Sequence, residues 1–206
     1  MRRLPMFPLE GVLLPHTLLP LHVFEPRYRA LVADCLAGDR EFGVVLIERG
    51  GEVGGQDVRF DAGTVATIVD TRQIPDGRWF LLAEGRIRLQ VVRWLPDDPY
   101  PLANIEELDE PDWFDTEGLR DRAVHMLQRL AALRTELGQE AHPVSIHLDD
   151  NPVRASYEAV ALSRLGPLDT HHLLMAPSPE ARYTHLFRLL TEETTTLEHQ
   201  ISNPGT

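Results

Sequence analysis

Lysine is missing from the sequence altogether, because all 20 basic residues are arginine. A Walker-type phosphate loop needs a lysine on the β- and γ-phosphates, and a Ser-Lys hydrolase needs an amine as its base. Schiff-base enzymes need the same amine as their nucleophile. The composition therefore excludes these three kinds of active site.

Cysteine is almost absent as well. Cys35 is the only one, so the chain can form no internal disulfide and offers no cysteine-based metal cluster. No stretch approaches the roughly 20 apolar residues that a membrane-spanning helix needs. The opening residues Met1–Arg3 lead into a proline-punctuated segment and not into the apolar core of a signal peptide. We therefore expect a cytoplasmic protein with no membrane partner.

Positive charge is scarce relative to negative charge, and the formal net charge is −12. Residues 1–110 contain 12 arginines against 18 acidic residues, and residues 111–206 contain 8 against 14, so each half carries −6. A protein that binds a phosphate backbone normally presents a basic patch or stripe. The even acidic excess predicts that nucleic acid is not a partner.

Common catalytic signatures are absent too. No serine stands in a G-x-S-x-G elbow, no glycines are spaced as G-x-G-x-x-G, and H-E-x-x-H does not occur. Adjacent aspartates at 97–98 and 149–150 come just before Pro99 and Asn151-Pro152, which indicates turn and cap roles in place of acid–base catalysis. We predict no catalytic residues and no cofactor.

Nine histidines raise the question of a metal site. His142 and His147 are close in sequence, and His171 and His172 are adjacent. A zinc site needs three or four convergent ligands, whereas neighbouring residues of a helix point to different faces. We therefore predict no metal.

The first half of the sequence is typical of short strands and tight turns, with one helix between them. Prolines punctuate its first strands, which favours edge positions. The helix begins at Pro26 and ends before Gly38, and its apolar residues recur at the 3.6-residue period. The predicted strands, rich in β-branched and aromatic residues, are Leu4–Leu9, Gly11–Leu14, Leu18–Phe24, Phe42–Ile47, Gly63–Ile74, Arg78–Ala83, Arg86–Leu95 and Leu102–Leu108. Many short strands around one helix predict a small closed or nearly closed β-barrel.

The second half changes to helical periodicity. Apolar residues keep helical spacing from Leu119 to Leu137, Asn151-Pro152 has the form of a cap and first turn, and Ser178-Pro179 begins a final helix. A short helical piece is predicted after Asp169. We therefore predict an α+β protein with a β-barrel subdomain over residues 1–110 and a helical bundle over residues 111–206.

One block of the first half carries a family resemblance. The block LPLHVFEPRYR at residues 19–29 resembles the opening signature of the Lon protease N-terminal, substrate-binding domain family. The segments FGVVL at 42–46, GTVA at 63–66, IPDGR at 74–78 and the EGR turn at 84–86 agree in order and spacing. One departure is His16, where the family commonly has glycine, so we expect a slightly different turn there.

The resemblance implies a PUA-like β-barrel followed by a helical bundle, and a role in recognising protein substrates. We expect a stand-alone member without ATPase and protease domains, hence a non-catalytic module that either recognises unfolded or client polypeptides or regulates proteolysis, with a separate protease as a candidate partner. An RNA- or small-ligand-binding PUA-like protein is the alternative.

Binding of unfolded clients requires exposed apolar side chains or sheet edges. The leucine-rich N-terminal segment is the candidate for such a surface. We predict a peptide-binding set made of Leu13, Leu14, Leu18, Leu19, His22 and Phe24. For the motif residues Glu25, Pro26, Arg27 and Tyr28 a structural role is favoured, in which Glu25 caps the helix and accepts from an arginine, Pro26 sets the first turn and Tyr28 packs.

Overall fold

A computed structural model describes residues 1–52, 57–139 and 145–203. This part of the chain is α+β, and its contacts divide it into two compact units, Met1–Asp109 and Glu110–Thr206. The strands, all in the first unit, are β1 (Arg2–Leu9), β2 (Leu18–Val23), β3 (Glu41–Arg49), β4 (Val58–Gln73), β5 (Trp79–Leu95) and β6 (Leu102–Leu108). The helices are α1 (Pro26–Ala37), α2 (Leu119–Glu136), α3 (Pro152–Ser163), α4 (Pro167–Leu174) and α5 (Pro179–Ser202).

The strands form one sheet in the order β2-β5-β4-β3-β1-β6. An additional antiparallel pairing between β5 and β6 closes five of these strands into a barrel-like ring. Strand β5 is long enough to pair with β2 over Trp79–Glu84 and with β6 over Arg88–Leu95. The predicted α+β class, with a strand-rich first half and one inserted helix, is confirmed.

Strand β1 contains two prolines and yet lies inside the sheet, which corrects the expectation of an edge strand. Its first half, Arg2–Pro5, pairs antiparallel with β6, and its second half, Met6–Leu9, pairs parallel with β3. Each half of β1 is therefore paired with a neighbouring strand along only one of its two edges. Pro5 and Pro8 are tolerated because a residue without an N–H costs a ladder hydrogen bond only where that N–H faces a partner.

Strand β5 is continuous through Glu84–Arg86, where the sequence predicted a turn. The pairing of β4 with β5 shifts register here, from Val65–Ile87 to Ala66–Gly85, so the extra residue makes a β-bulge and the strand bends without reversing. A Cβ on Gly85 would lie 2.2 Å from the Leu14 carbonyl oxygen, so only glycine permits this close approach.

The predicted strand Gly11–Leu14 is wrong, because no strand forms there. The backbone of this segment finds other partners: the Thr64 hydroxyl donates to the Leu13 carbonyl at 2.6 Å, and the His16 amide donates to the Gly85 carbonyl at 2.7 Å. His16 has φ 63°, the left-handed conformation that glycine adopts most readily.

The core of the first unit lies between α1 and the sheet. Helix α1 buries the predicted face of Tyr28, Leu31, Val32 and Cys35. Tyr28 stacks on Phe7 of β1 with ring centroids 4.2 Å apart. Each large apolar side chain buried in this way contributes about 1.5–3 kcal/mol. The core fixes the position of α1 and of the chain entering it from β2.

The second unit is held by caps and by one buried arginine. The Asn151 side chain accepts from the amides of Val153 and Arg154, as predicted, and Ser178 Oγ accepts from the Ala181 amide at 3.1 Å. Helix α4 begins at Pro167, ahead of the predicted position. Arg182 of α5 is fully buried.

None of the helices in the described ranges is long and apolar enough to cross a membrane.

Candidate functional site

Strand β2 stands at one end of the sheet order, and β5 is its only strand partner within the described residues. Its side chains alternate between the two faces: Leu18, Pro20 and His22 are exposed, whereas Leu19 and Leu21 are half-buried against the core. The strand therefore presents an open edge and an exposed row of side chains.

An aromatic cluster extends this exposed row. His22 stacks on Phe80 of β5, which lies opposite it in the register, with centroids 4.6 Å apart and planes at 13°. Phe24 lies 5.9 Å from the His22 ring. Leu18, Phe24 and Phe80 are 61%, 50% and 40% exposed, so this set is unusually apolar for surface. We call Leu18, Pro20, His22, Phe24 and Phe80 the β2 strip.

A groove of about 150 Å³ opens beside the β2 strip. Its buried lining includes Phe7, Leu9 and Tyr28, and His22 and Phe24 of the strip also line it. The carboxylates Glu25 and Glu52 are its acidic lining residues. We call this cavity the apolar groove. It is large enough for an apolar side chain of an incoming segment.

Two predicted binding residues do not reach this surface. Leu13 and Leu14 are only 4% and 3% exposed, and Leu13 belongs to the core of the first unit. The backbone of this inward segment is satisfied, because the Leu13 carbonyl accepts from Thr64 Oγ1 and the Leu14 carbonyl accepts from Thr17 Oγ1. The assignment of Leu13 and Leu14 to peptide binding is therefore wrong. The structure brings Leu18, His22 and Phe24 to the surface, with Leu19 half-buried behind them.

The motif residues after β2 shape one side of the groove. Pro26 occupies the first turn of α1, and Glu25 stands at the N-cap position but makes no side-chain cap. Its carboxylate instead accepts from Arg27 Nε at 3.1 Å, and the Arg27 guanidinium lies 4.4 Å from the centroid of the Tyr28 ring. Burial raises the pKa of Tyr28 to about 12, because the apolar surroundings disfavour the charged phenolate. Tyr28 thus packs in the core and Glu25 pairs with an arginine, whereas Glu25 makes no side-chain cap on α1.

Sequence reasoning missed Phe80 and Glu52. Phe80 joins the β2 strip only through the register of β2 with β5, and Glu52 reaches the groove through the loop after β3. Both residues are distant in sequence from the motif block. An alternating pattern shows which residues share a face of one strand but not which residue lies opposite on another strand.

No group of three His, Cys, Asp or Glu residues within the described ranges is placed to hold a metal ion. His171 is buried while His172 is exposed, and His142 lies outside the described residues. Asp149 accepts from the Asn151 amide at 2.8 Å and from Arg154 at 3.2 Å, so it serves the turn before α3, whereas the cap itself is Asn151.

Comparison with known protein families gives a match over most of the chain. The model for the ATP-dependent protease La (LON) substrate-binding domain matches residues 3–192. The Lon protease of Trichlorobacter lovleyi is 28% identical over 92% of this chain and 24% of its own length. Lon protease 2 of Herpetosiphon aurantiacus is 28% identical over 97% of this chain and 25% of its own length. The chain thus spans about a quarter of the length of these relatives.

Solved structures share the fold. The Lon N-terminal domain protein from Xanthomonas campestris superposes with a TM-score of 0.66 at 26% identity, covering 93% of this chain and 98% of that one. The N-terminal domain of Mycobacterium avium complex Lon protease gives a TM-score of 0.63 at 16% identity, covering 94% and 98%.

Proposed function

Because the chain belongs to the Lon substrate-binding domain family, we propose that it recognises protein substrates for proteolysis by binding their exposed apolar segments at the β2 strip and the apolar groove. The observation that carries this proposal is the cluster of exposed aromatic and aliphatic side chains around Phe24 and Phe80, beside a cavity with an apolar lining. Unfolded polypeptides expose the side chains that such a surface attracts.

The structure favours side-chain insertion over simple addition of a strand to β2. The Gly85 amide donates to the Thr17 carbonyl, which fixes the hydrogen-bonding alternation along this antiparallel pair. The backbone N–H and C=O groups of Leu19 and Leu21 therefore face β5, and the backbone of Pro20 faces the open edge. Proline has no N–H, so a strand added there loses one ladder hydrogen bond. Side chains that enter the groove are therefore expected to supply most of the affinity.

Each inserted apolar side chain contributes about 1.5–3 kcal/mol, so one or two anchors give weak, reversible binding. Such affinity suits a module that samples clients before degradation. We propose that the chain itself is non-catalytic, acts in the cytoplasm and delivers clients to a separate protease. The absence of lysine from the sequence supports the first point, because the Ser-Lys and Walker chemistries both need that residue.

Phe24→Ser is the direct test. Binding of a fluorescein-labelled, permanently unfolded polypeptide rich in Phe and Leu is followed by fluorescence anisotropy for the wild type and the variant. We expect Phe24→Ser to raise Kd about tenfold, because one apolar contact is lost. Phe114→Ser is the matched control, since Phe114 is 79% exposed and belongs to the second unit. Equal Kd values for Phe24→Ser and the wild type would refute the site.

A further inference from the structure

We infer that the apolar groove selects segments in which the apolar residue is flanked by arginine or lysine. This inference rests on the proposed function and specifies the class of client. The groove supplies the apolar contact. The lining residue Glu52 and its neighbour Glu10, which we call the acidic end, supply the charge that a basic neighbour pairs with.

Glu10 and Glu52 lie side by side. Glu52 lines the groove, and its Oε1 accepts from the Glu10 amide at 2.7 Å. Glu10 directly follows Leu9, another lining residue, and its own carboxylate lies near Gly51. Both glutamates are exposed. An incoming cation therefore meets two negative groups close to the point where its apolar neighbour enters.

Neither carboxylate is neutralised by the protein itself. All 20 arginines lie within the described residues, and none forms an ion pair with Glu10 or Glu52. Arg27 is beside the groove, but its guanidinium donates to the Glu25 carboxylate and to the Glu52 main-chain oxygen. The charge at this end is thus available to a ligand.

Charge complementarity at an exposed rim raises the association rate and excludes wrong partners more than it adds affinity. An exposed ion pair gives a small gain, so two such pairs amount to about a three- to fivefold change in Kd at low salt. Acidic flanking residues meet repulsion at the same place. The net charge of −12 adds a general attraction for cations, which the experiment must separate from the local effect.

The test uses three peptides that share one Phe- and Leu-containing core and differ in flanks of Arg, Ser or Glu. Kd is measured by anisotropy at low and high salt for the wild type and for Glu10→Gln/Glu52→Gln. The glutamine at 52 retains an oxygen for the Glu10 amide, so the loop keeps its hydrogen bond. The control is Asp39→Asn/Glu106→Gln, which removes the same charge from exposed positions that do not line the groove.

We expect the wild type to bind the Arg-flanked peptide about three- to fivefold more tightly than the Ser-flanked one at low salt. Glu10→Gln/Glu52→Gln should abolish the preference for the Arg-flanked over the Ser-flanked peptide, while the control keeps it. Equal binding of the three peptides by the wild type, or an equal loss in the control, would overturn the inference and leave the proposed function standing. A failure of the proposed function would be distinguishable, because the Kd of the Ser-flanked peptide would then be the same for Phe24→Ser and for the wild type.

Discussion

Replacement of Arg182 by methionine should destabilise the helical unit more than most single substitutions. The Arg182 guanidinium donates to Ser156 Oγ at 2.6 Å, to the Tyr157 hydroxyl at 2.8 Å, to Glu110 Oε1 at 3.1 Å and to the Leu173 carbonyl at 3.2 Å. The guanidinium also lies 3.7 Å from the centroid of the Tyr157 ring. One side chain thus connects α5 with α3, with the end of α4 and with the segment before α2.

The magnitude follows from what the substitution leaves behind. Arg182 is 0% exposed and the Glu110 side chain only 18%, so the substitution removes the guanidinium from beside the Glu110 carboxyl group in a site with little water. Breaking a buried ion pair by removing one partner costs about 3–5 kcal/mol, a large share of the 5–15 kcal/mol typical of a folded domain. Methionine fills much of the volume of the arginine stem, so the loss reports the polar network and not a cavity.

Urea titration followed by far-ultraviolet circular dichroism measures the loss. Arg188→Met is the control on the same helix, because Arg188 is exposed and pairs with Glu192 one turn away; its effect should stay within about 0.5 kcal/mol. The double variant Glu110→Gln/Arg182→Met should recover part of the stability, since it also removes the Glu110 carboxyl group. A loss below about 1 kcal/mol for Arg182→Met, or no recovery in the double variant, would refute the reasoning.

Two further predictions concern the first unit. Burial, reinforced by Asp34, raises the pKa of the Cys35 thiol from 9.0 to about 12. A thiol reagent at mildly alkaline pH should therefore react slowly with the native protein and rapidly with the protein unfolded in urea. Raising the pH from about 9 toward 12 should lower the free energy of unfolding, because the thiol ionises first in the unfolded state. Gly85→Ala should cost about 1–3 kcal/mol through contact with the Leu14 carbonyl oxygen, and Gly11→Ala, whose Cβ meets nothing within 4 Å, should be nearly neutral in the same urea titration.

Local sequence patterns correctly predicted the structural elements that depend on interactions between nearby residues. Helix α1 begins at Pro26 and ends before Gly38 as predicted, because proline presets the first turn and the apolar period marks the buried face. The cap at Asn151 formed for the same reason. The turn predicted at Glu84–Arg86 failed because a bulge in a long strand and a reversal of the chain have similar local sequences.

The candidate site also combines features that local sequence predicts with features that depend on distant contacts. The predicted binding set included Leu18 and His22, and both are exposed on one face of β2. Leucine content alone misplaced Leu13 and Leu14, because an apolar residue in a segment without a strand partner can serve a core as well as a surface. Only contact with distant residues distinguishes the two cases.

The amino-acid sequence by itself determined the α+β class, the family resemblance and the exclusion of lysine-dependent chemistry, since each depends on residue types and on spacings of a few positions. Tertiary structure alone decided that Phe80 lies opposite His22, that the Glu10 amide donates to Glu52, and that Arg182 is buried beside Glu110. These contacts join residues far apart in the chain. Strand register and helix packing set such distances, and neither can be read from local periodicity.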